Sequence, residues 1–129
     1  MRNLNKMEVL FFALIAVFSL TACGKKEAFQ GNIAEDDTCY DMTFDWLDTA
    51  YTYDIYLETG DSIEVLLEKE RGKVSLLIQI GDEEPLYQGD DMEPSTFAVN
   101  IKETGNYTVK IIGQKAKGHI RISGQKGLQ

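Results

Sequence analysis

Apolar and polar residues alternate along most of the chain that follows residue 40. Every second position is Val, Ile, Leu, Tyr or Phe in the segments 53–57, 63–67, 74–80, 97–101, 107–111 and 120–122. Successive side chains of a strand point to opposite faces, so this alternation is typical of half-buried antiparallel strands. Leu66, Leu77 and Ile112 fall on the opposite phase. They indicate either a second covered surface or an edge where the sheet curls.

Turn-forming residues separate these segments. Gly lies among Thr, Lys, Arg, Asp or Asn at 59–61, 71–73, 103–106 and 117–118. Short strands between such turns predict an all-β fold, an antiparallel β-sandwich of jelly-roll-like form with seven to eight strands. We expect strands near 42–46, 51–58, 62–70, 73–80, 85–88, 96–102, 106–113 and 117–123.

The N-terminal segment differs from this pattern. Val9–Leu20 is apolar except for Ser19, and it follows Arg2 and Lys6. At about 1.5 Å per residue the run is too short to cross about 30 Å of hydrocarbon. It fits the apolar region of a secretory signal peptide, although Glu8 is unusual there. We therefore expect residues 1–22 to be a signal helix that is removed from the mature protein.

The signal segment ends in Leu20-Thr21-Ala22-Cys23-Gly24. This run resembles the lipobox of bacterial lipoprotein signal peptides, in which an aliphatic residue and two small residues precede Cys. The resemblance implies that Cys23 receives a diacylglyceryl group, with palmitate-type chains, and becomes the new N-terminus. The implied location is the extracytoplasmic side of the cell membrane, with a lipid anchor. The alternatives are a non-lipidated signal peptide and a buried N-terminal helix.

Residues 24–39 are mostly small or polar and have no sustained period. With Cys23 they predict a flexible tether over 23–39, followed by the β-sandwich domain over 40–129. Removal of residues 1–22 takes away two basic residues and one acidic residue, which changes the formal charge from −8 to −9. This balance argues against a nucleic-acid partner, although Lys25 and Lys26 could meet anionic headgroups. Cys39 is then left without an intramolecular partner, as a small and partly buried side chain.

Two runs of the mature chain share a pattern. Tyr53-x-Ile-x-Leu-x-x-Gly60-Asp61-x-Ile-x-Val is followed by Phe97-x-Val-x-Ile-x-x-x-Gly105-x-Tyr107-x-Val. Over roughly residues 50–123 the chain resembles the prepeptidase C-terminal-type domains that are appended to secreted bacterial peptidases. It is also similar to small lipoproteins of Gram-positive bacteria. The resemblance implies an accessory or binding module and assigns no site residue.

The first candidate site is aromatic. Six of the chain's 13 aromatic residues fall within the 17 residues 40–56. Sugar rings stack on exposed aromatic faces, so a glycan platform is one interpretation; the other is a core filled by these rings, with tyrosines at the sheet edge. The candidate ligand-binding residues are Tyr40, Trp46, Tyr51 and Tyr56.

The second candidate is a weak calcium site. Six carboxylates flank the short strand expected at 85–88, and Ca²⁺ takes six to eight oxygen ligands. The spacing of an EF-hand loop is missing, so two solvated turns are the preferred interpretation and no metal is expected. The candidate ligands are Asp82, Glu83, Glu84, Asp90, Asp91 and Glu93.

Catalytic patterns are missing from the sequence. His119, the chain's one histidine, lies out of phase with Ile120 and Ile122, so we expect it on the surface. There is no Gly-x-Ser-x-Gly, His-Glu-x-x-His or phosphate-cradling glycine loop. We therefore expect a monomeric, non-enzymatic module without a cofactor, which binds an unknown protein, peptide or glycan at the cell envelope. The alternatives are a structural or stress-related envelope lipoprotein without a small ligand, and a calcium-stabilised module.

Overall fold

The computed structural model describes residues 27–127, and the expected signal helix and Cys23 lie outside these residues. The described part contains seven strands and no helix long and apolar enough to cross a membrane. The strands are β1 (Phe29–Glu35), β2 (Cys39–Leu47), β3 (Ala50–Leu57), β4 (Ser62–Ile80), β5 (Tyr87–Gly89), β6 (Ser95–Asn100) and β7 (Gly105–Gln125).

All strand pairs are antiparallel, in the order β1-β2-β7-β4-β5, with β3 also on β7 and β6 also on β4. The two long strands, β4 with 19 residues and β7 with 21, change partners along their length. Layer A consists of β1, β2, β6, the first half of β4 and the second half of β7. Layer B consists of β3, β5 and the remaining halves of β4 and β7. The expected all-β, antiparallel fold is confirmed.

The long strands bend where they pass from one layer to the other. The turn predicted at 71–73 is a bend inside β4, and Gly72 there has a φ of +78°. Opposite it in β7, Lys115 has a φ of +50°. The predicted break at 117–118 likewise lies inside β7. The interpretation of both breaks as chain reversals was wrong, because each lies inside a strand that keeps its partner. At Gly72, a positive φ redirects the strand without ending it.

The apolar phase of every long strand points into one core between the layers. Most residues of that phase in β3, β4 and β7 are at most 5% exposed, as the alternation predicted, whereas Tyr51 and Ile80 are partly buried and pack against this core. Rings join the layers: Tyr40 of β2 lies 5.0 Å from Tyr53 of β3 between ring centroids. Leu66, Leu77 and Ile112 are half-buried on the outer faces. The largest fully buried side chains include Tyr107, Phe44, Met42, Leu47, Ile55 and Ile63.

Strand β1 corrects the expected tether. Phe29–Glu35 pairs with β2 along its whole length, with a register shift at Gln30/Gly31, so these residues are not a flexible linker. The strand is mostly exposed and pairs on one side only. An edge strand of this kind needs no alternating apolar pattern, which is why the sequence did not reveal it. Its start is held by the Asp48 N–H, which donates to the Ala28 carbonyl at 2.8 Å.

The sandwich has two ends of different charge. The loop end consists of the segments 36–38, 58–61, 81–86 and 101–104, which join strands at one end of both layers. It carries eight carboxylates and one Lys. The bend end consists of 47–49, 70–73, 90–94 and 113–117, and it carries five carboxylates and four basic residues. The acidic excess of the chain is thus concentrated at the loop end.

Candidate functional site

An open cavity of about 660 Å³ lies beside the loop end. It is formed where the turn between β1 and β2 faces the outer side of β3. Its lining combines acidic, hydroxyl and aromatic side chains: Glu35, Asp36, Asp37, Thr52, Tyr53, Asp54 and Tyr56.

The turn that forms one wall is shaped by Asp36. Its carboxylate accepts hydrogen bonds from the N–H groups of Thr38 at 2.9 Å and Cys39 at 2.8 Å. These bonds hold the pKa of Asp36 below its usual value. Tyr53 connects this wall to layer B, because its hydroxyl donates to the Asp36 carbonyl at 2.9 Å. Burial, with the nearby Asp36 charge, raises the pKa of Tyr53 to about 12, so the hydroxyl remains a donor.

The other walls present charge and one aromatic ring. Glu35, Asp37 and Asp54 are exposed, and Asp54 accepts a hydrogen bond from the Thr108 hydroxyl at 2.9 Å. The Tyr56 side chain is 57% exposed. Carboxylates beside an open aromatic face provide a negative field and a cation–π surface. The arrangement is therefore suited to an ammonium or guanidinium group.

The four candidate aromatic residues do not form one platform. Tyr40 is 2% exposed, so its selection as a ligand-binding residue was wrong: its ring belongs to the core. Tyr51 packs edge-on against Phe29 at 5.3 Å between ring centroids, and Trp46 is half-buried near the bend end. Tyr56 alone of the four is exposed and lines the cavity.

The six calcium candidates lie in two separate exposed segments on either side of β5. Asp91 lies 3.7 Å from the Lys69 ammonium group, and Glu83 and Glu84 line a smaller cavity of about 440 Å³ with Leu86 and Tyr107. Within residues 27–127, no three or more His, Cys, Asp or Glu side chains are grouped so that they could hold a metal ion.

His119 lies on the outer face of layer A, as its phase predicted, but it is not an isolated surface residue. Its Nε2 lies 2.7 Å from Asp41 Oδ1, and its Nδ1 lies 3.1 Å from Glu68 Oε1. Burial acts to lower the pKa of His119, but the bonds to Glu68 and Asp41 outweigh it and the pKa is raised. The three side chains come from β7, β2 and β4, and only the strand register brings them together.

This His119 cluster joins strands and does not resemble a catalytic group. A general base needs one ring nitrogen directed at the reacting proton, whereas both nitrogens here face carboxylates. Arg121, two residues further along β7, lies opposite Asp41 of β2, and the nearby Cys39, Asp41 and Glu64 side chains raise the pKa of Arg121. The outer face of layer A is thus a polar network across three strands.

Sequence reasoning missed the acidic wall of the cavity, because residues 35–37 were assigned to the tether. A local signal was present: Asp36-Asp37-Thr38 is a combination that favours turns, since Asp side chains bond main-chain N–H groups two or three residues on. Asp54 lay in a predicted strand, but its position beside the β1–β2 turn depends on how the two layers pack.

The comparisons with known proteins describe shape only. No family model matches the chain, and no curated protein matches it. Among solved structures, the pre-peptidase C-terminal domain of a collagenase from Bacillus anthracis is 14% identical with a TM-score of 0.46, over 73% of this chain and 99% of that domain. A glycosylation-associated protein complex from Streptococcus agalactiae is 14% identical with a TM-score of 0.38, over 77% of this chain and 22% of that one. The assignment of an antiparallel β-sandwich rests on the strand pairing described above.

Proposed function

We propose that this protein is a membrane-anchored, extracytoplasmic lipoprotein whose β-sandwich is a non-catalytic binding module for a cationic peptide segment of a partner protein. The observation that carries the proposal is the loop-end cavity, where exposed carboxylates adjoin the open ring of Tyr56. A Lys or Arg side chain satisfies both features, because it pairs with carboxylates and stacks on an aromatic face.

The charge of the surrounding surface supports a cationic partner. Eight carboxylates and one Lys at the loop end create a negative potential around the cavity, which raises the association rate of a positive ligand. Salt screens such an attraction beyond about 8–10 Å. Binding should therefore weaken as the ionic strength rises.

The cavity is also preformed, which favours binding. The β1–β2 turn is fixed by the bonds to Asp36 and by the Tyr53 hydroxyl. A ligand would therefore meet side chains on ordered strands, with less loop ordering to offset its contacts.

The anchor part of the proposal is supported by the sequence alone. Its elements are the apolar run at 9–20 and the lipobox-like segment that ends at Cys23. Replacement of the acylated residue, Cys23→Ala, should move the protein out of the membrane fraction. Mass spectrometry of the wild-type N-terminal peptide should find a diacylglyceryl group on Cys23; an unmodified peptide would contradict the anchor.

The binding part is tested by calorimetric titration of the purified protein in detergent with a peptide rich in Lys and Arg. The double variant Asp37→Asn/Asp54→Asn should raise the Kd by about tenfold, because two carboxylates of the cavity lose their charge. Tyr56→Ala should raise it by about threefold through loss of the aromatic face.

The matched control is Asp82→Asn/Glu84→Gln, which removes the same charge from the same end outside this cavity. It should leave the Kd nearly unchanged. If both double variants lose the same affinity, the effect comes from net charge and not from the cavity. The proposal is contradicted if the cationic peptide produces no heat of binding. Binding on a glycan array that Tyr56→Ala abolishes would favour a sugar ligand instead.

A further inference from the structure

We infer that the bend end of the sandwich rests on the surface of an anionic membrane, so that the loop-end cavity points away from the bilayer. This inference depends on the proposed anchor at Cys23. It adds a second membrane contact, made by the folded domain, and it fixes the direction in which the module faces.

The first step of the argument is where the chain enters the fold. The Ala28 carbonyl accepts a hydrogen bond from the Asp48 N–H at 2.8 Å, and the Asp48 carboxylate accepts one from the Lys115 N–H at 3.1 Å. Gly72 packs directly against the main chain of Lys115. The chain just before β1 is therefore two hydrogen bonds away from the bends of β4 and β7.

The second step is the reach of the linker. Cys23 and Ala28 are five residues apart, and an extended chain spans at most about 3.3–3.6 Å per residue, or roughly 17 Å. This is short compared with the length of the sandwich, since a strand segment of nine residues such as β2 is already about 30 Å long. The anchor thus holds the bend end, and not the loop end, near the headgroups.

The third step is the charge of the bend end. Arg71, Lys73 and Lys115 are exposed and lie side by side where β4 and β7 bend. Within the described residues, none of these three side chains forms an ion pair, whereas Lys69 and Lys117 are paired with acidic side chains.

Acidic residues of the same end offset this group, because the bend end carries five carboxylates and four basic residues, but the loop end carries eight carboxylates and one Lys. An anionic surface therefore repels the loop end more strongly than the bend end. Each Lys or Arg near an anionic surface strengthens binding by about fivefold. Three exposed cations at the end with the smaller acidic excess therefore favour the orientation in which the bend end faces the headgroups.

The test uses the chain's single tryptophan as a probe, because Trp46 lies next to Leu47 at the bend end. The lipidated protein is reconstituted into phosphatidylcholine vesicles that contain a headgroup-nitroxide lipid, with or without phosphatidylglycerol. We expect phosphatidylglycerol to increase the quenching of Trp46 fluorescence, and high salt to reverse the increase. A Trp46→Phe/Tyr56→Trp variant, which moves the probe to the loop end, should show no such increase.

The charge requirement is tested with Arg71→Glu/Lys73→Glu/Lys115→Glu, which should abolish the phosphatidylglycerol-dependent quenching. The matched control reverses three cations elsewhere, at Lys102, Lys110 and Lys126, and should retain it. Circular dichroism confirms that both variants are folded.

Vesicle flotation separates the possible failures. If the protein floats but Trp46 is not quenched, or if both triple variants behave alike, the inferred orientation is wrong and the anchor stands. If the protein does not float and Cys23 has no lipid, both the anchor and the orientation are wrong, because nothing then holds the bend end near a membrane.

Discussion

The two ends of the sandwich differ in how tightly the main chain is packed as well as in charge. At the bend end, a Cβ on Gly72 would collide with the main-chain oxygen of Lys115; at the loop end, a Cβ on Gly60 or Gly81 would meet no atom within 4 Å. The difference teaches that glycines with similar positive φ have different roles here. Those of the loop end allow a turn, whereas Gly72 allows two bent strands to stay in contact.

The same contrast applies to function. The bend end fixes the passage of β4 and β7 between layers and receives the N-terminal chain. The loop end has most of its carboxylates exposed and an open cavity beside it. We therefore expect substitutions at the bend end to lower the stability of the fold, and substitutions at the loop end to alter binding.

The largest expected effect is on stability, and it is measured by adding one methyl group at either end in two separate variants. Gly72→Ala should lower the free energy of unfolding by about 3 kcal/mol, from positive-φ strain together with overpacking. Gly81→Ala, with φ of +53° and open space around it, should cost only about 1 kcal/mol. Denaturant unfolding of both variants measures the difference. Equal costs would show that the bends are no more constrained than the loops.

A smaller effect is expected for the hydroxyl that holds the cavity wall. Tyr53→Phe removes the bond to the Asp36 carbonyl and should cost about 1 kcal/mol, a typical net value for one hydrogen bond. Hydrogen exchange at the N–H groups of Thr38 and Cys39 should become faster. Tyr56→Phe, at an exposed ring, is the control and should leave both quantities unchanged; an unchanged turn in Tyr53→Phe would mean that Asp36 alone defines the wall.

The smallest effect lies between the two ends, at the His119 cluster. Because the folded pKa of His119 is raised, its contribution to stability is fully present below the unfolded value near 6.5 and is lost as the pH rises through the folded value. The groups that face it are Asp41 of β2 and Glu68 of β4. Between acidic and alkaline pH, the free energy of unfolding of the wild type should fall by on the order of 0.5–1 kcal/mol relative to that of His119→Gln.

Thermal unfolding of both proteins across this pH range makes the measurement. Asp36 gives a useful contrast, because its lowered pKa has the opposite sign: its contribution is present above the unfolded value near 3.9 and is lost as the pH falls through the folded value. A wild type that gains stability relative to His119→Gln as the pH rises would contradict the carboxylate–histidine pairing.

The sequence predicted the strand phases well and the strand connections poorly. Tyr53, Ile55 and Leu57 are buried as their spacing required, because a period of two assigns each residue to a face whatever the partner strand. Gly72 was misinterpreted, because a Gly between charged residues has the same local signature in a hairpin and in a bend. Strand β1 was missed, because its order comes from its pairing with β2 and not from its own composition.

The sites depended still more on packing. Tyr40 and Tyr56 are the same residue type in strands that follow one another in the chain, yet one is in the core and the other is open to solvent. The alternation along β3 correctly predicts that Tyr56 faces outward, because it lies between the inward-facing Ile55 and Leu57. For Tyr40, no strand register was known. The cavity joins Asp37 to Asp54, and the His119 cluster joins β7 to β2 and β4. Such contacts between distant segments cannot be obtained from local patterns.

By itself, the sequence determined the fold class, the inward face of most strands, the acidic balance and the lipobox-like segment before Cys23, because each of these is encoded in neighbouring residues. The tertiary structure decided which strands pair, that β4 and β7 run through both layers, and that the acidic cavity and the chain entry lie at opposite ends. The physical reason is that pairing and layer packing are set by the burial of one shared core, to which residues far apart in the chain contribute together.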